Sequence, residues 1–147
     1  MDFVDAIELP YSCRELFEVV ADVERYPMFL PHWHRVRILR CDGGRLLVEQ
    51  LLLSGFVPIR FRSTALLEAP HRISIAVQEG PLRQLRIEWR FTATAERACR
   101  VEVRIGMEVA SSLLRRSFKV LLGDSGNRLL GLFAERAQRV YRPPARP

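Results

Sequence analysis

Between residues 56 and 109 the chain alternates apolar and polar side chains in four successive segments, and after Ser112 the apolar spacing becomes helical. A period of two builds strands with one buried face, and a period near 3.6 builds a helix with one buried stripe. Val57, Ile59, Phe61, Ser63, Ala65 and Leu67 share one face, opposite Arg60, Arg62 and Thr64. Ile73, Ile75 and Val77 repeat the pattern. Leu85, Ile87, Trp89 and Phe91 then oppose Arg86, Glu88 and Arg90, and Val101, Val103, Ile105 and Met107 oppose Glu102 and Arg104. Residues 34–40 and 45–54 flank Asp42-Gly43-Gly44, a hairpin signal, and residues 2–9 read as a first strand. The expectation is an α+β chain with about seven antiparallel strands, a wet arginine-bearing face and an apolar face that must be covered.

The cover is the segment from Ser112 to Arg139, which contains no proline. Leu114, Phe118, Leu121, Leu122, Leu129, Leu132, Phe133 and Val140 give it a broad apolar stripe. At about 1.5 Å per residue such a helix is roughly 40 Å long, enough to cross a sheet. Gly123 and Gly126 each cost about 1 kcal/mol inside a helix, so a bend or a close approach to the sheet is expected there.

Near the N-terminus, Ser12 and Glu15 have the spacing of a capping box, with Tyr11 and Leu16 as a hydrophobic staple. Leu16, Phe17, Val19, Val20 and Val23 give this first helix an apolar face. Pro27 and Pro31 restrict the following segment to a short helical turn and a loop. One domain is expected over residues 1–141, followed by a Pro/Arg-rich tail, 142–147, expected to be disordered.

The length, 147 residues with 48% hydrophobic, supports a substantial core and excludes a disordered chain. No apolar run approaches the roughly 20 residues of a membrane span. The acidic start Met1-Asp2-Phe3-Val4-Asp5 does not resemble a secretory signal, so a cytoplasmic location is expected. Cys13, Cys41 and Cys99 are odd in number, far apart in sequence and form no CxxC pair, which argues against a disulfide framework or a zinc site. The net charge is +6, and of 23 basic residues only Lys119 is a lysine. The arginines are scattered without a run, and no aromatic residue sits among clustered basics, so the pattern does not point to DNA or to a stacking platform for RNA.

His32 and His34 flank Trp33; if extended, both point one way, yet no further ligand stands at a supporting spacing and no metal is expected. No nucleophile elbow, phosphate loop or dinucleotide fingerprint is present, and no catalytic residue is assigned. Phe61, Trp89, Phe91, Phe118 and Phe133 are spread over sheet and helix and converge on the interior, where they either fill the core or line a cavity.

Pro10-Tyr11-Ser12 and the block Ala21-Asp22-Val23-Glu24-Arg25-Tyr26-Pro27-Met28-Phe29-Leu30-Pro31 closely resemble the coenzyme-Q-binding and ribosome-association-toxin family, within the START-like polyketide cyclase/dehydrase superfamily. Gly80-Pro81-Leu82-Arg83, Trp89-Arg90-Phe91 and Phe133-Ala134-Glu135-Arg136-Ala137 extend the resemblance over nearly the whole chain. His32 and Leu82 stand where the family more often has Trp and Phe.

The resemblance implies a helix-grip (START-like, Bet v 1-like) fold, with two short helices after strand 1 and a curved sheet gripping the long C-terminal helix. It also implies an internal cavity, here lined by Phe61, Trp89, Phe91, Phe118, Leu122 and Phe133. Tyr26, Phe29, Leu30 and Trp33 then form a gate, a foot touching a membrane surface, or a plug, and His32 and His34 a polar rim. No cofactor is implied beyond a ubiquinone or other prenyl lipid held as ligand. Three functions follow from the family: non-catalytic quinone binding and transfer at the inner membrane, polyketide aromatase/cyclase-dehydrase chemistry, and toxin-like binding to the large ribosomal subunit.

Overall fold

The computed structural model describes residues 2–54, 56–80, 84–108, 112, 115–116, 119 and 127–141. Seven strands form one sheet: β1 (Asp2–Leu9), β2 (Trp33–Asp42), β3 (Arg45–Ser54), β4 (Val57–Glu68), β5 (Arg72–Glu79), β6 (Arg86–Ala95) and β7 (Ala98–Gly106). Their order is β1-β7-β6-β5-β4-β3-β2, and every pair is antiparallel. Only β1 lies out of sequence order, carried to the far edge by the helical segments between it and β2. Register shifts interrupt β2 and the β4–β5 pairing between Arg62 and Ser63; such bulges bend strands and increase twist. They curve the sheet around its apolar face.

Helix α1 (Cys13–Ala21) starts as its sequence dictates. Ser12 Oγ accepts from the Glu15 amide at 3.1 Å, and the Glu15 carboxylate accepts from the Ser12 amide at 3.0 Å. Leu16, Phe17, Val19 and Val20 are buried on its inner side. A 3-10 helix, Val23–Met28, follows and contains Pro27. The tighter helix accommodates a proline that would break an α-helix interior.

Helix α2 (Asn127–Val140) buries Leu129, Leu130, Phe133 and Ala137, a stripe at helical spacing. Ser112, Arg115, Arg116 and Lys119 are also helical, and they are exposed. The expected stripe residues Leu114, Phe118, Leu121 and Leu122, the two glycines Gly123 and Gly126, and the tail 142–147 lie outside the described residues. No helix among the described residues is long and apolar enough to cross a membrane.

The core fills the concave face. Phe61, Ala65, Ile73, Trp89, Phe91, Val101, Val103 and Ile105 are buried there, beneath α1 and α2. The convex face carries the charges, as the alternation predicts. Arg62 pairs with Glu79 at 3.2 Å, Arg72 with Glu88 at 2.7 Å, and Glu102 with Arg100 and Arg104 at 3.1 and 3.0 Å. The two arginines, Arg104 first, hold the Glu102 carboxyl below its usual range.

Two of the cysteines, distant in sequence, meet in the fold. Cys13 and Cys99 are 86 positions apart, yet their sulfurs lie 3.0 Å from one another as free thiols. The antiparallel pairing of Leu9 with Cys99 places β7 beside the turn that opens α1, so the first residue of the helix reaches the strand. Burial, and then the contact with Cys13, pushes the Cys99 thiol up to about 12.

Candidate ligand-binding site

The two helices do not close the concave face completely. A cavity of about 60 Å³ remains between strands β3–β7, the 3-10 helix and α2. Its wall is apolar, with Val48, Phe61, Ala65, Val77, Ile87, Trp89 and Ile105 from the sheet and Leu129 and Phe133 from α2. Tyr26 and Leu30 complete it from the segment between α1 and β2, and Trp33 from the first position of β2.

Phe133 is the centre of an aromatic cluster at the helix side of this cavity. Its ring stands edge-on to Trp89 at 4.9 Å, to Phe29 at 5.1 Å and to Tyr26 at 5.4 Å. Edge-to-face geometry sets the positive ring edge against the negative face of its neighbour. The Arg136 guanidinium lies 5.5 Å from the centre of the Phe29 ring and ties that ring to α2. These rings occupy part of the space on the helix side of the cavity.

Among the described residues, the wall holds one hydrogen-bonded group of polar side chains. Trp33 Nε1 donates to Gln50 Oε1 at 2.8 Å, and Gln50 Nε2 donates to Ser63 Oγ at 2.8 Å. Gln50 is 9% exposed and Ser63 1%. Gln50 pairs with Phe61 across β3–β4, so Ser63 is its diagonal neighbour on the same face. The Tyr26 hydroxyl is turned away, donating to the Val20 carbonyl. Burial, reinforced by Asp22, raises the Tyr26 pKa above its ordinary value, so the phenol stays neutral. It is the one ionisable side chain among the described wall residues.

Of the residues singled out in the sequence, Phe61, Trp89 and Phe133 lie on the wall. Phe91 does not reach it. Two positions along β6 carry it under α1, where it meets Phe17 edge-on at 5.7 Å and borders a separate void of about 10 Å³. Phe118 and Leu122 lie outside the described residues. In the gate segment, Tyr26 and Leu30 are buried and face inward with Trp33, Phe29 packs on Phe133, and Met28 is the exposed apolar side chain.

The histidines are placed differently from the expected rim. His32 has φ 72°, so the extended geometry that would align it with His34 does not hold. Its Nδ1 lies 3.1 Å from the Leu53 carbonyl oxygen, while His34 is exposed, and neither borders the cavity. Among the described residues, no group of three or more His, Cys, Asp or Glu is arranged to hold a metal. The polar contribution comes instead from Gln50 and Ser63, which sequence reasoning did not single out. The signal was present: Gln50 shares the phase of Leu46, Val48 and Leu52, and Ser63 that of Phe61 and Ala65.

Residues 9–134 match the pattern of the family described as polyketide cyclase / dehydrase and lipid transport. The chain is 29% identical over 133 residues to ribosome association toxin RatA of Pseudomonas aeruginosa, covering 90% of this chain and 92% of that one. It is 24% identical over 147 residues to the mitochondrial coenzyme Q-binding protein COQ10 homolog B of Xenopus laevis, covering 96% of this chain and 59% of that one. Among solved structures, the Zhui aromatase/cyclase from a Streptomyces species superposes with a TM-score of 0.82 over 99% of both chains, at 15% identity. That likeness concerns the fold. The chain belongs to the polyketide cyclase / dehydrase and lipid transport family.

Proposed function

We propose that this member of the polyketide cyclase / dehydrase and lipid transport family binds and transfers an apolar ligand without chemistry, with a polyprenyl quinone as the lead class. The observation that carries the reading is the wall itself, which among the described residues is apolar except for the neutral Trp33–Gln50–Ser63 group and the Tyr26 hydroxyl turned away on Val20. Cyclase or dehydratase chemistry needs a placed acid or base near neutrality. Tyr26, held neutral with its hydroxyl on Val20, does not meet that need. Similarity to a coenzyme Q-binding protein along 96% of this chain supports the quinone class.

Size sets a condition on the mechanism. Pockets for drug-sized ligands are about 300–1,000 Å³, whereas this one is about 60 Å³. The wall therefore opens on loading, and the Tyr26–Phe29–Phe133 contacts are those between the helix and the segment leading to β2. Each buried methylene contributes about 0.8 kcal/mol, so a five-carbon prenyl unit brings roughly 4 kcal/mol before any opening cost. Loading from a bilayer involves membrane contact, for which Met28, 61% exposed, is the apolar side chain presented by this segment.

Organic extraction of the purified protein with mass spectrometry, beside an unrelated protein from the same host, tests the reading. A stoichiometric quinone or prenyl lipid is expected. Added quinone should also quench tryptophan fluorescence, because Trp33 and Trp89 both line the cavity. An empty extract together with no quenching refutes the carrier reading.

A second reading has its own support. RatA matches this chain over nearly the full length of both, and the convex face carries exposed arginines without carboxylate partners among the described residues. Arg35 and Arg60 flank Leu51 in one cross-strand row, and Arg86 lies further along the sheet. A ribosome-directed role predicts cosedimentation with the large subunit that weakens steeply with salt.

A further inference from the structure

The geometry points to Gln50 and Ser63 as a hydrogen-bond-donor pair that binds a carbonyl oxygen of the cavity ligand. The inference rests on the cavity being the ligand site, and it adds the chemical group read there.

Trp33 fixes the sense of the network. An indole N–H can only donate, so the Gln50 atom 2.8 Å from Trp33 Nε1 is its carbonyl oxygen. The amide nitrogen then necessarily faces Ser63 Oγ, also at 2.8 Å. A primary amide carries two N–H bonds, and Ser63 takes one. The Ser63 oxygen is the acceptor of that bond, so its own O–H is not used in it. Beyond these two bonds, neither the second Gln50 N–H nor the Ser63 O–H donates to a described residue. Both side chains border the cavity and both are at least nine-tenths buried. A carbonyl oxygen with a spare lone pair is tolerated in protein interiors, whereas an orphaned buried donor is rare. The unmet capacity of the patch is therefore for an acceptor.

A carbonyl meets that requirement best. It has two lone pairs, brings no hydrogen of its own, and on a quinone ring it sits at the edge of an otherwise apolar plane. In the empty protein, water can serve the same donors. A ligand without an acceptor displaces that water and leaves two donors bare, which lowers its affinity by about tenfold or more. The rest of the wall selects for hydrophobicity; this pair selects for a ketone-type oxygen.

Two probes with one tail length separate these contributions: decylubiquinone and decylbenzene, titrated by calorimetry into wild type, Ser63→Ala and Gln50→Leu. Wild type is expected to bind decylubiquinone at least about tenfold more tightly. Both variants should narrow that preference, because each removes one of the two groups that hold the quinone carbonyl and that decylbenzene leaves bare. Equal binding of the two probes to wild type, or an unchanged preference in both variants, overturns the donor-pair inference and leaves the carrier reading standing. Binding of neither probe overturns the carrier reading instead.

Gln50→Leu removes the partner of Trp33 and can fail to fold, so an infrared measurement stands beside it. The carbonyl stretch of carbon-13-labelled decylubiquinone should move to lower frequency on binding to wild type, relative to hexane, and partly return in Ser63→Ala. A bound carbonyl with its hexane frequency refutes the assignment.

Discussion

Phe133→Ala is the sharpest test of how the cavity is closed. Phe133 is 5% exposed and its ring meets three others, Trp89, Phe29 and Tyr26, at 4.9, 5.1 and 5.4 Å. Truncating a buried phenylalanine costs about 3–5 kcal/mol, the sum of lost transfer energy and the void left behind. Three edge contacts, each worth about 0.5–1.5 kcal/mol beyond area, put this site in the upper half, near 4–5 kcal/mol. For a chain of this size, 1 kcal/mol moves Tm by about 2–4 °C, so a drop of roughly 8–20 °C is expected. Val140→Ala, on the same helix but 47% exposed, should stay within about 0.5 kcal/mol. The void joins an existing apolar cavity, so benzene should stabilise Phe133→Ala and leave wild type nearly unaffected. Thermal and urea unfolding with and without benzene measure both effects. A cost below about 1 kcal/mol, or equal stabilisation of both proteins by benzene, refutes the closed aromatic cluster.

Three further outcomes follow from the same interior. The Tyr26 phenol keeps its proton in the fold at pH values where the unfolded chain releases it, so its contribution is complete below about pH 10 and lost as pH rises beyond that. Tyr26→Phe should lose about 1 kcal/mol at pH 7 with the Val20 hydrogen bond, and its unfolding free energy should fall less steeply than wild type between pH 10 and 12. Native-state alkylation at pH 8, mapped by mass spectrometry, should label exposed Cys41 first and buried Cys99, its thiol at about 12, only on unfolding; equal rates would refute the packing of Cys99. Gly80→Ala should cost at least about 1 kcal/mol in urea unfolding, because φ is 105° and the new Cβ would lie 2.7 Å from the Arg60 carbonyl oxygen.

The sheet was readable because each strand buries one face. Period-two alternation survives wherever a slip of one residue would turn every apolar side chain to water, and Phe61, Trp89 and Ile105 all fall on the face the pattern assigned. The capping box of α1 was readable because both its bonds lie within four residues. What was hidden depends on register or on long-range proximity. Trp33 meets Gln50, and Gln50 meets Ser63, only through the pairing of β2, β3 and β4, and β2 contains bulges that no alternation reveals. Phe91 shares the face of Trp89, but its distance along β6 places it under α1. His32 adopts a left-handed backbone that is uncommon for a residue with a side chain, so the condition under which His32 and His34 would point one way is not met.

A cavity of about 60 Å³ and a carrier role fit together only if loading opens the wall, and that makes the ligand's tail decisive. Separating Phe133 from Phe29 and Tyr26 forfeits two edge contacts, about 1–3 kcal/mol in all, plus the apolar area they shield. On the carrier reading, a bare quinone ring would bring its carbonyl to Gln50 and Ser63 and the apolar area of one ring, so it would have the least with which to offset the opening. Each prenyl unit adds roughly 4 kcal/mol gross, enough to reverse the balance with the first or second unit. Affinity of quinones bearing no, one, two and four isoprene units should therefore rise steeply over the first steps and level off once the tail outruns the enclosed wall. In Phe133→Ala, where part of the opening is already made, the tailless quinone should gain most and the longest least. A wild-type affinity independent of tail length would place the quinone on the outside of the protein and end the case for this cavity as its site.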